Sequence, residues 1–278
     1  MISGSRQPAI YLPHGAGPCF FMPWTPPHEW DGLRAWLQTL PQRLPATPRA
    51  ILCITAHWEA PAFTVSAAAA PSLLYDYHGF PEHTYQLRWP VRGAPAVAER
   101  AAQLLRQAGL EVAVDLRRGY DHGTFIPLMV AWPQADVPVV QVSLQAKLDP
   151  LQHVRAGEAL AALRDEGILI IGSGMSWHNM AHYNNPAART PSERFDAWLT
   201  EVMSEADAGR RARLLARWQA APDALFAHPR AEHLLPAMVV AGAGGNTPGY
   251  KDYSDVLMGV RISAFAFGEL SAVRTGTA

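Results

Sequence analysis

Apolar positions along the chain fall into two patterns that take turns. Short unbroken runs predict strands at Ala9–Leu12, Ala50–Thr55, Phe63–Ser66, Leu110–Val114, Pro138–Leu144 and Ile168–Ile171. A more alternating run predicts a final strand over Val256–Phe267. Between them, apolar residues recur at helical spacing over Ala94–Ala108, Asp149–Arg164, Ser192–Ala206, Ala208–Ala220 and Ala231–Val240. Thr124–Trp132 reads as a short buried helix. Punctuation agrees with the pattern. Gly109 stands where the first long helix needs a C-terminal glycine, and Asp149-Pro150 supplies an N-cap and a first-turn proline. The proline- and tryptophan-rich stretch Cys19–Trp36 reads as an irregular, packed loop.

Continuous apolar strands separated by amphipathic helices call for a sheet covered on both sides. The expected fold is α/β: a single catalytic domain over residues 1–278, with a central, largely parallel or mixed sheet flanked by helices on both faces. In open sheets of this kind, ligands bind beyond the carboxyl ends of the strands.

That rule singles out histidines. The chain has 11. His14, His57, His122 and His178 each lie shortly beyond the end of an expected strand, so neighbouring strands would bring them to one crevice. Gly15, Gly123 and Gly174 sit beside them, where backbone must turn tightly or leave room for a ligand. His233 falls in the expected first turn of the Ala231–Val240 helix, next to Glu232, whose charge would also suit the helix dipole. Converging neutral imidazoles suit a first-row divalent metal: zinc, iron, copper or nickel. Two or three histidines with open positions fit either a hydrolytic zinc or a non-haem iron(II).

Composition narrows the choice by exclusion. At 49% hydrophobic and 17% charged residues, the 278-residue chain is globular. A formal net charge of −1 gives no electrostatic footprint for nucleic acid or an anionic membrane. No apolar run reaches spanning length, and Met1–Leu12 lacks the charge and apolar core of a signal peptide. Cys19 and Cys53, the 2 cysteines, suit a reducing cytoplasm. There is no G-x-S-x-G elbow, dinucleotide fingerprint, Walker A loop or Cys-x-x-Cys pair. Assembly into a homo-oligomer is compatible with all of this.

The motifs "PHGAGPCFFM", "ITAHWE", "YDHGTFIPL", "GSGMSWHN" and "HPRAEHLLP", in that order, resemble the class III extradiol dioxygenases. The likeness is greatest to the 4,5-DOPA dioxygenase-like branch of the LigB-type superfamily. It implies that His14 and His57 bind a metal, with His233 as the third ligand. Relatives in the wider superfamily use Glu at that third place, which makes Glu232 the alternative. It further implies His178 as the acid–base group and His122 as a second active-site histidine, donating a hydrogen bond to oxygen or to a substrate hydroxyl. Iron(II) is expected in the active enzyme, and zinc(II) could occupy the site in purified or crystallised protein. The expected partners are a small catechol, DOPA-like or related, and dioxygen. The aromatic loop Phe20–Trp36 and the segment Tyr75–Phe80 are candidates for a lid. Two readings compete: a zinc-dependent hydrolase using the same histidines, and a metal-binding protein without turnover.

Overall fold

The structure, a computed structural model, describes residues 5–272. Its strands are β1 (Ala9–Pro13), β2 (Ala50–Ala60), β3 (Phe63–Ser66), β4 (Val112–Asp115), β5 (Val139–Gln145), β6 (Ile168–Gly174), β7 (Tyr250–Leu257) and β8 (Val260–Phe267). They form one sheet in the order β4-β3-β5-β2-β6-β1-β8-β7. The four central strands, β5, β2, β6 and β1, are parallel. Antiparallel pairings attach β8 to β1 and β3 to β5, so the sheet is mixed. The helices are α1 (Asp31–Arg43), α2 (Pro95–Gln107), α3 (His122–Ala131), α4 (Pro150–Leu160), α5 (Ala162–Asp165), α6 (Arg189–Met203), α7 (Ala208–Ala216), α8 (Ala224–Ala227) and α9 (Leu235–Gly244).

Successive residues of a strand point to opposite faces, and β6 shows what covers each. At Gly172 a Cβ would lie 2.4 Å from the Pro236 carbonyl of α9. Next along, the Ser173 hydroxyl donates to the Gly123 carbonyl of α3. Thus α9 and α3 lie on opposite faces, as the expected architecture requires. Every residue of these two helices is buried, which explains why neither has a polar stripe.

Three expectations need correction. The Cys19–Trp36 stretch is not loop throughout, because α1 begins at Asp31. Leu33, Trp36, Leu37 and Leu40 make its buried stripe. The single final strand is a hairpin instead, turning at Met258 and Gly259, both with positive φ. Finally, the expected helix over Ala231–Val240 starts only at Leu235. No described helix is long and apolar enough to cross a membrane.

Candidate metal centre

His14 comes directly off β1. Its backbone N–H extends the parallel ladder by donating to the Gly174 carbonyl at 3.1 Å. Gly15 then turns the chain at φ +87°, and a Cβ there would lie 2.5 Å from Cys19 Sγ. This glycine serves the turn and the packing beneath it, and it also lines the cavity at the site. Gly174 is similar: a Cβ would lie 2.1 Å from the His233 carbonyl. Its bareness lets the segment before α9 close on the strand.

His57 is not beyond a strand end, because β2 runs on to Ala60. The register of β2 against β5 slips between Ile54 and Glu59. An irregularity of this kind re-aims side chains and is common beside functional sites.

His233 precedes α9 in a turn. Its carbonyl accepts from the Tyr11 hydroxyl at 2.7 Å and from Met175 N–H at 3.2 Å. Both donors come from the core strands or their ends, so the residue is held from below. Because the segment is not yet helical, Glu232 and His233 do not splay apart by the roughly 100° that successive residues of a helix would. Glu232 Oε1 lies 3.0 Å from His233 Nδ1 and accepts a hydrogen bond from its N–H.

These three rings converge. His57 Nε2 is 3.2 Å from His14 Nε2 and 3.3 Å from His233 Nε2. His14 Nδ1 is engaged with the Gly15 carbonyl at 2.9 Å, as His233 Nδ1 is with Glu232, so their Nε2 atoms are bare lone pairs. Lone pairs gathered this closely repel unless they share a cation. Around one ion at metal–nitrogen distances of about 2.0–2.1 Å, adjacent nitrogens lie roughly 3.0–3.4 Å apart, so the spacing fits. Burial, assisted by the neighbouring rings, holds His14 and His57 well below the ordinary imidazole range. Burial likewise pushes His233 down to about 4. All three offer unprotonated nitrogen at neutral pH, as metal ligation demands.

Two further histidines border the cluster. His122 is the first residue of α3, capped by Asp121, whose carboxylate accepts from Thr124 N–H at 3.2 Å. Asp121 is itself gripped by Thr55 of β2 at 2.7 Å and Gln141 of β5 at 2.9 Å. The His122 ring lies 3.9 Å from the His57 ring, centroid to centroid. His14, His57 and His122 also offer nitrogens within 4.8 Å of one another, and the nitrogens of His178 and His233 with a carboxylate oxygen of Glu232 make a second such group. The His178 ring stacks on His233 at 3.4 Å, with Nδ1 3.5 Å from Glu232 Oε1. Burial opposes the charge of Glu232, but hydrogen bonds with His178 and His233 hold its carboxyl well below the usual range.

Sequence reasoning missed the carboxylate behind His122. Asp76 Oδ1 accepts from His122 Nδ1 at 2.9 Å and from the His122 backbone N–H at 2.8 Å. No local signal marks Asp76, which arrives from the long connection between β3 and α2.

The rings open into a cavity of about 560 Å³. Trp24 lines it, as do Tyr77, His78 and Phe80 of the segment expected to form a lid. His182 packs on Phe226 at 4.4 Å and lies outside that lining.

The family model for the catalytic LigB subunit of aromatic ring-opening dioxygenase matches residues 8–263, a span that contains every residue of this cluster. The chain belongs to the LigB family. Similar proteins include dioxygenase tasH of Hapsidospora irregularis, 38% identical over 94% of this chain and 85% of its own. The 4,5-DOPA dioxygenase extradiol of Beta vulgaris is 38% identical over 71% of this chain and 74% of its own. Its Escherichia coli namesake is 32% identical over 87% of each. The crystal structure of an uncharacterised Escherichia coli K12 protein superposes with a TM-score of 0.76 at 29% identity, covering 95% of this chain and 100% of that one. As a LigB member with these relatives, the protein is an extradiol ring-opening dioxygenase.

Proposed function

We propose that the protein is an iron(II)-dependent dioxygenase that opens a catechol ring beside its diol and inserts both atoms of dioxygen. The convergence of His14, His57 and His233 Nε2 at 3.2 and 3.3 Å carries this reading. These three imidazoles would hold the ion. Iron(II) bound there supplies Lewis acidity toward a phenolic oxygen and electrons toward dioxygen.

The remaining steps belong to the chain. His178 is assigned as the base that takes the second phenolic proton and later returns it, a role suited to imidazole near neutrality. Glu232 orients both His178 and His233. His122 gives its Nδ1–H to Asp76, which leaves Nε2 for the cavity. That nitrogen accepts a hydrogen bond when the ring is neutral and donates one when it is protonated. The donor role expected from the sequence therefore requires the protonated ring.

The whole chain is read as one catalytic domain. Its partners are a small catechol and dioxygen, not nucleic acid or a membrane. Two buried free thiols, Cys19 and Cys53, favour the cytoplasm. Zinc(II) fits the same nitrogens, so metal content is measured alongside dioxygen uptake. The test is to purify the protein without oxygen, load iron(II), add catechols and aerate. A yellow ring-opened product and dioxygen uptake are expected. His57→Ala loses the metal; tight iron retention by that variant would overturn the ligand set.

A further inference from the structure

Away from the histidines the cavity wall is largely apolar. Trp24, Phe80, Met175, Met180 and Met258 supply an apolar surface. Among the described residues, no lysine or arginine lines the cavity. Two nearby arginines are committed elsewhere. Arg230 forks onto Glu59 and also approaches Glu232 at 3.3 Å. Arg118 reaches Asp121 at 3.4 Å and the His57 carbonyl at 3.2 Å, with its guanidinium over Trp58.

The polar wall groups are largely engaged as well. Tyr183 donates to the Trp177 carbonyl at 3.0 Å and Tyr77 to the Thr84 carbonyl at 2.6 Å. Asn184 and the exposed His78 are the other polar side chains outside the histidine cluster and Asp76. Asp76 brings a negative charge to the wall. Recognition of a carboxylate ordinarily uses a lysine or a bidentate arginine. Here a substrate carboxylate would lose water against methionine and aromatic carbon and meet no such partner.

We infer that the substrate's substituent is apolar and uncharged: the cavity is built for an alkyl- or aryl-substituted catechol rather than one carrying a carboxylate. This rests on the proposed function, since the diol end must lie at the histidines. The two catechols that test it differ in one group. 4-Propylcatechol and 3-(3,4-dihydroxyphenyl)propanoate share ring and chain length and exchange a methyl for a carboxylate.

Binding of each to the metal-loaded protein is measured by calorimetry without dioxygen, and turnover is measured separately after aeration. Tighter binding of the propyl compound by about tenfold or more is expected, from the cost of stripping water from a carboxylate against apolar carbon without a cationic partner. Equal or tighter binding of the propanoate overturns the inference. Absence of turnover with both compounds would count against the dioxygenase reading, while the binding ratio still decides the substituent. Met180→Arg adds a control: Met180 is 72% exposed on the cavity rim, so the fold tolerates a long polar side chain there. This variant should move the ratio toward the propanoate. An unmoved ratio would mean that the substituent does not lie along this wall, which also overturns the inference.

Discussion

Asp76 Oδ1 takes two hydrogen bonds from His122, one from ring Nδ1 at 2.9 Å and one from backbone N–H at 2.8 Å. One carboxylate oxygen thus fixes both the ring's tautomer and the position of the α3 N-terminus. The burial of Asp76 alone would raise its pKa, but the His122 hydrogen bonds bring it below the usual carboxylate value. Asp76→Asn should leave metal content unchanged and lower kcat by about 10–100-fold, the range seen when an orienting partner is lost. The amide can present its NH2 to Nδ1 and select the wrong tautomer, so the pH profile of kcat should change shape. An unchanged profile with unchanged kcat would show that the contact only packs the loop.

How far the site could be read before the structure depends on the length scale of each signal. The central strands and the histidines near them are local features, carried by unbroken apolar runs ending in His-Gly or Gly-Ser-Gly. Helix α1 also had a signal, in Leu33, Trp36, Leu37 and Leu40, but prolines and tryptophans around it suggested loop. In the last hairpin, Met258-Gly259 lacks the Asn-Gly or Asp-Gly pair that announces such a turn. The Asp76 carboxylate was illegible for a different reason. Asp76 meets His122 across 46 residues of sequence, so only the packed fold reveals the pair. Glu232 was visible as a neighbour of His233, but its role depended on that segment being a turn instead of a helix.

The same logic applies on the other side of the centre. Glu232 Oε1 sits 3.0 Å from His233 Nδ1 and 3.5 Å from His178 Nδ1. Glu232→Gln should weaken metal affinity about 10–100-fold by loosening the His233 ring. If Glu232 were a ligand in its own right, the loss would match that of His57→Ala. Titration of the apo-variants with iron(II) under nitrogen separates the two outcomes.

Acid stability should report histidines remote from the centre. His153 donates from Nδ1 to the Asp149 carbonyl at 2.7 Å and accepts at Nε2 from Gln145 N–H at 3.3 Å. Burial lowers its pKa from 6.5 to about 4. Below pH 6.5 the unfolded chain binds a proton that the folded chain refuses, so stability falls with pH until about 4. The loss from this one group is on the order of 3 kcal/mol across that window. Urea unfolding of His153→Gln at several pH values should show lower stability at pH 7 and a shallower decline on acidification. An identical slope in variant and wild type would remove His153 from the account.

The most direct test of the central claim is mass spectrometry of the product formed by the iron-loaded protein from 4-propylcatechol under isotopically labelled dioxygen. The account predicts a ring-opened product whose unexchanged mass includes both atoms of one dioxygen molecule, and no such product from His57→Ala. Conversion to a quinone without oxygen incorporation, or equal yield from His57→Ala, would contradict it.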